Sequence, residues 1–74
     1  MIEASEIKQL IENGIPDAEV TVLGDDGQHF EATVKSALFI DKSRLAQHKM
    51  VYATLGNRFE GELHALAIKT AIPE

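Results

Sequence analysis

Between residues 29 and 71 the spacing of apolar residues changes period twice, and this limits the fold more than any other feature. From His29 to about Ser36, Phe30, Ala32 and Val34 alternate with Glu31, Thr33 and Lys35. That is the pattern of a strand with one buried and one wet face. From Ser43 the period becomes helical: Leu45, Val51, Tyr52 and Leu55 supply most of an apolar stripe, with His48 between Leu45 and Tyr52. From Leu63 to Ala71 alternation returns, Leu66 and Ile68 facing one way and Ala65, Ala67 and Lys69 the other. A strand, a helix and an adjacent strand form a right-handed crossover, so the two strands are predicted to run parallel.

The first part of the chain supplies one more helix and one more strand. Ile7, Leu10 and Ile11 recur at helical spacing. Ser5 is the expected cap and Glu6 suits the positive end of the helix dipole. Gly14 is expected in a left-handed conformation that ends this helix, with Pro16 preventing its resumption. Ala18 to Leu23 alternates and is β-branched at Val20, Thr21 and Val22, so it reads as a strand. Gly24-Asp25-Asp26-Gly27-Gln28 is turn chemistry and makes a hairpin, its glycines expected at positive φ. Leu38-Phe39-Ile40 reads as a buried connection, and Ser43 as the cap of the long helix. Gly56-Asn57 breaks that helix, and Arg58-Phe59-Glu60-Gly61 is one more turn or short helix. Pro73 ends the last strand. The expected fold is α+β, in the order α-β-β-α-(α)-β. Its three-stranded mixed sheet has strands 1 and 2 antiparallel, strands 2 and 3 parallel, and the helices on one face.

Length and composition set the class. Seventy-four residues suit one domain spanning 1–74 with a small core. The chain has no cysteine, which favours a reducing, cytoplasmic setting and removes any thiolate nucleophile or thiolate ligand. No apolar run approaches the about 20 residues that span a bilayer, and the acidic start MIEASEIK reads as neither signal nor transit peptide. The net charge of −5 is unevenly spread. Residues 1–34 carry −7, residues 35–58 carry +4 and residues 59–74 carry −2. Lys42, Arg44, Lys49 and Arg58 therefore form a weak candidate patch for nucleic acid, set against an acidic remainder that repels a polyanion.

Candidate chemistry rests on the histidines. His29 opens the second strand and His64 the third. In a parallel pair these starts share one end of the sheet, beside the 24–28 loop, and neighbouring strands lie about 4.8 Å apart. Alternation puts His29 on the opposite parity to Phe30 and His64 on the parity of Leu66, so the rings meet only by swinging around the sheet end. His48 reads as a structural, hydrogen-bonded residue of the helix stripe. Other chemistries are poorly served. Asp25 and Asp26 are adjacent in a turn, Gly24-x-x-Gly27 precedes no helix, and no serine stands in a nucleophile elbow. The chain reads as a binding protein and not as an enzyme.

Several motifs resemble the BolA family: Ser43-Arg44 followed by His48, Val51-Tyr52 with Leu55, and His64-Ala65-Leu66. His29-Phe30 at a strand start and Phe39 after that strand fit the same pattern, and the resemblance covers nearly the whole chain. The short chain and loop look most like the small bacterial type, also called YrbA or IbaG. This resemblance implies a fold similar to the class II KH domain. It implies a monothiol glutaredoxin as partner and a [2Fe–2S] cluster shared with that partner and its glutathione, for iron–sulfur trafficking or iron sensing. The family's recurrent metal ligand is the histidine of H-A-L, here His64. The family's second ligand, a loop Cys or His, falls near Asp26, a poor match for a soft site, which makes His29 the substitute. Alone, the protein is expected to be a monomer or weak homodimer without cofactor. The alternative is a KH-like nucleic-acid-binding regulator of transcription or stress response. Against it stand a single tyrosine and the lack of a G-x-x-G loop between helices.

Overall fold

A computed structural model describes residues 2–24, 26, 29–57 and 65–74. Its elements are helix α1 (Ala4–Gly14), strands β1 (Glu19–Leu23) and β2 (His29–Lys35), a 3₁₀ turn (Ala37–Phe39), helix α2 (Arg44–Leu55) and strand β3 (Ala65–Ala71). The sheet order is β1-β2-β3. β1 and β2 are antiparallel with Val20 opposite Val34. β2 and β3 are parallel with His29 opposite Ala65 and Phe30 opposite Leu66. This is the expected α+β topology, with α2 as the crossover between parallel neighbours. The extra turn expected at 58–61, and the strand start at 63–64, lie outside the described residues.

The alternation in β2 is realised as read: Phe30, Ala32 and Val34 are buried, and Glu31 and Lys35 are exposed. The buried row meets Ile2, Ile7, Ile11, Ile15, Phe39, Val51 and Leu55 in one apolar cluster on the helix side of the sheet. Each Val, Leu, Ile or Phe side chain of this cluster contributes roughly 1.5–3 kcal/mol on leaving water. On the other face Lys69 reaches Glu31 at 3.2 Å, an exposed pair of small energetic weight.

Four local expectations are corrected. Ser5 does not cap α1: Glu3 occupies that position without a side-chain bond, and Ser5 lies inside the first turn. Gly14 is not left-handed. It is small because α2 passes beside it, and a Cβ there would fall 2.5 Å from Cγ2 of Thr54. Gly24 is likewise required by close approach: a Cβ would meet Cδ1 of Phe30 at 2.5 Å. Of Leu38-Phe39-Ile40 only Phe39 is buried, because successive side chains of the 3₁₀ turn diverge around its axis and Ile40 lies past its end.

The long helix starts as expected, with the Ser43 hydroxyl accepting from the Ala46 amide at 3.1 Å, and it ends at Gly56, where φ is 56°. Its buried stripe is displaced from the expected one. Gln47, Met50, Val51, Thr54 and Leu55 face inward, while Leu45 stays 66% exposed and Tyr52 49%. A polar residue is tolerated in the stripe because Gln47 is fully used. Its amide nitrogen donates to the Phe39 carbonyl (3.2 Å) and the Lys42 carbonyl (3.0 Å), and its oxygen accepts from the Thr70 hydroxyl. Gln47 thereby ties α2 to β3 and to the connection before α2.

Candidate functional site

His29 is positioned by the hairpin loop. Asp26 lies against the start of β2. One oxygen of its carboxylate accepts the His29 backbone N–H at 2.8 Å. The other lies 2.8 Å from Nδ1 of the same histidine. The side chains are 57% and 50% exposed, so the pair sits at the surface. A carboxylate only accepts, so a neutral His29 ring carries its proton on Nδ1 and turns Nε2 away from Asp26. This carboxylate–imidazole arrangement is how metal-ligating histidines are commonly oriented from behind. Asp26 was expected as a solvated turn residue at the family's ligand position. It instead orients a neighbouring ligand candidate. The signal for it in the sequence was the spacing Asp26-x-x-His29 across a tight turn.

β2 and β3 do begin at one end of the sheet: His29 pairs laterally with Ala65, the residue bonded to His64. His64 itself lies outside the described residues, as does Arg58. Among the described residues no group of three or more His, Asp or Glu side chains is arranged to hold a metal ion. Metal binding at this end would therefore draw donors from beyond the described residues or from a partner.

His48 is not a core residue. It is half-buried and lines an open groove of about 440 Å³ with Arg44, Ile68, Lys69 and Thr70. No hydrogen bond joins its ring to any described residue, so the expected buried partner is absent among them. The displaced stripe of α2 is the cause, since it carries position 48 to the rim of the helix–sheet contact. Of the basic candidates, Lys42, Arg44 and Lys49 are exposed, in keeping with a solvated helix face.

The hydrogen bonds of two side chains, Tyr52 and Asp17, escaped the sequence reading. Tyr52 donates its hydroxyl to the Leu66 carbonyl at 3.2 Å, fastening α2 to the start of β3. Asp17 accepts from the Ser36 hydroxyl at 2.7 Å and from the Ala37 amide at 2.9 Å, which holds its carboxyl below the usual range, the serine bond being the larger cause. Pairs separated by this much chain leave no local signal.

Residues 8–74 match the description "BolA-like protein". The chain belongs to the BolA-like family. Its fold is similar to that of a bolA protein homologue from Coxiella burnetii, with a TM-score of 0.86 and 39% identity over 99% of this chain and 94% of that one. A Haemophilus influenzae protein is 37% identical over 70 residues, 93% of this BolA-like chain and 81% of that relative. The UV-induced protein uvi31 of Schizosaccharomyces pombe is 38% identical over 58 residues, 78% of this chain. The alignment covers only 50% of uvi31, so this BolA-like chain spans about half that relative's length. Among the described residues no helix is long and apolar enough to cross a membrane.

Proposed function

We propose that this BolA-like protein is a partner of a monothiol glutaredoxin and contributes histidine to a [2Fe–2S] cluster held between them. The partner and its glutathione supply thiolates, which this chain lacks. His64 is the primary ligand from this chain and His29 an auxiliary one. The observation that supports this reading is the Asp26–His29 pair at the end of the sheet, lateral to Ala65 and so one peptide bond from His64. Asp26 is a poor direct ligand for iron–sulfur chemistry, but its carboxylate fixes the ring of an imidazole ligand and raises its basicity. Imidazole in place of thiolate leaves a cluster less anionic and raises its potential, which suits transfer or sensing. In this role the chain binds and orients and has no catalytic step of its own.

The test is reconstitution of the cluster with a monothiol glutaredoxin, followed by visible absorption and circular dichroism. His64→Ala should keep the fold and change or abolish the mixed-ligand spectrum. His29→Ala should shift it or shorten the cluster lifetime. His48→Ala should leave it unchanged. A wild-type spectrum and lifetime in His64→Ala sinks the assignment.

The regulator reading has less support. Lys42, Arg44 and Lys49 are exposed, yet the remainder of the chain is acidic. DNA binding is therefore expected to be weak, non-specific and steeply reduced by salt. Sequence-selective binding at physiological salt would promote that reading instead.

A further inference from the structure

Among the described residues β3 is an edge strand, and its outer edge lies beside the groove under α2. Successive residues of a strand present their N–H and C=O to opposite sides. The Ala71 carbonyl accepts from Ser36, at the end of β2, at 3.1 Å, so residues of its parity face β2. Leu66, Ile68 and Thr70 therefore turn their backbone groups outward. The Leu66 carbonyl is taken by Tyr52, and no described side chain reaches the backbone groups of Ile68 or Thr70. Between Ala65 and Ala71 the strand carries no proline, and its charged residue, Lys69, is engaged by Glu31 on the outer face. Edges of this length are usually blunted by edge charges, lysine above all, by bulges, by proline or by a covering element; here the edge charge is Lys69, and its ammonium is drawn to Glu31 at 3.2 Å. Exposed Ala67 adds little bulk against an approaching chain.

The surroundings select the occupant. Arg44 stands on the groove wall with no carboxylate in salt-bridge reach among the described residues, and His48 lines the same wall. β1, the opposite edge, begins with Glu19 and belongs to the acidic part of the chain. A second copy pairing edge to edge through β3 would bring a second Arg44 and His48 to the same seam and no carboxylate to complement them. A nucleic acid offers phosphate acceptors but no regular alternation of donors and acceptors, and the acidic remainder repels a long polyanion. An extended peptide supplies that alternation, and a few carboxylates complement the groove wall.

We propose that the outer edge of β3, beside the Arg44–His48 groove, pairs with an extended acidic segment of a partner protein, which adds as a further strand. Ile68 and Thr70 supply the backbone bonds, and Arg44 selects for acidic side chains. This surface does not depend on cluster binding.

The probe is an acetylated seven-residue peptide of alternating glutamate and valine, titrated into the isotope-labelled chain with no iron present. Saturable binding is expected, with hydrogen exchange at the Ile68 and Thr70 amides slowed at least tenfold. N-methylating the peptide amides of one alternating register should abolish binding, while methylating the other register leaves it. Arg44→Glu should weaken binding at least fivefold with the denaturant midpoint unchanged, since an acid is favourable in the first turn of a helix. A lysine–valine peptide should not bind. Absence of binding at millimolar peptide overturns the proposal, as does equal sensitivity to the two methylation registers or indifference to Arg44→Glu. Protection of the same amides by an oligothymidylate but not by the peptide overturns it in favour of nucleic acid. Concentration-dependent protection without peptide overturns it in favour of self-pairing.

Discussion

The Ser36 hydroxyl is fully buried and donates to the Asp17 carboxylate at 2.7 Å, joining the segment after α1 to the end of β2. Ser36 also accepts from the Leu38 amide at 3.0 Å, so one hydroxyl caps the 3₁₀ turn and anchors the acid. The bonds from Ser36 and Ala37 lower the folded-state pKa of Asp17 below its ordinary value. A depressed carboxylate stabilises the fold above its unfolded pKa, and that contribution is lost as pH falls through the folded pKa. Asp17→Asn should therefore be less stable than wild type near neutrality. The difference should shrink as pH falls from the ordinary aspartate range through the lowered value. Urea midpoints for both proteins across the acid range check this, and a constant difference would remove Asp17 from the acid response.

The buried stripe of α2 makes a paired prediction. Val51 and Leu55 lie in the core while Leu45 is largely exposed. Leu55→Ala should cost about 2–5 kcal/mol. Leu45→Ala should stay within about 0.5 kcal/mol. Denaturant unfolding of both variants decides the matter, and comparable losses would mean that the helix packs by the face expected from its sequence.

Gly14 should resist replacement despite its helical position. In an open helix Gly→Ala stabilises by about 0.5–1 kcal/mol. Here the added Cβ would meet Cγ2 of Thr54 at 2.5 Å and Cβ of Thr54 at 2.8 Å. Overpacking of this kind costs about 1–3 kcal/mol. Gly14→Ala should be destabilising, and Thr54→Ala should recover part of the loss in a double-mutant cycle. Additive single effects would show that the two helices do not meet at this point.

The tautomer of His29 reports the Asp26 contact directly. With the carboxylate at Nδ1, the neutral ring should carry its proton there. Long-range proton–nitrogen NMR at alkaline pH should show Nδ1–H predominating in wild type and falling in Asp26→Ala. An unchanged tautomer ratio would sever Asp26 from His29. If His29 ligates the cluster in the proposed complex with a monothiol glutaredoxin, the same variant should lower cluster affinity about 10–100-fold, the usual effect of removing a carboxylate that orients a ligand histidine.

The two helices and three strands, their order and the parallel pairing of β2 with β3 were legible in the sequence. Period-2 and helical spacings are local, and a helix between two adjacent strands leaves one handed solution. The family was legible in Ser43-Arg44, His48, Val51-Tyr52 and His64-Ala65-Leu66 as well. The site was legible only in its residue types. His29 could be placed at a strand start, but Asp26 as its orienting partner depends on side-chain geometry that residue spacing does not fix.

What the sequence by itself determined is where backbone bonding repeats, because that repeat needs only neighbours in the chain. Tertiary structure decided which way each element is turned. Val51 and Leu55 are buried as their spacing implies, yet α2 leaves Leu45 and Tyr52 exposed and sets Gln47, Met50 and Thr54, each half-buried, beside the core. That rotation is set by Gly14 admitting α2 at Thr54, and by Gln47 gathering Phe39, Lys42 and Thr70. The Gly14–Thr54 and Gln47–Thr70 contacts join residues far apart in the chain, and a side chain's burial is an energy of the whole packed arrangement, which no local pattern encodes.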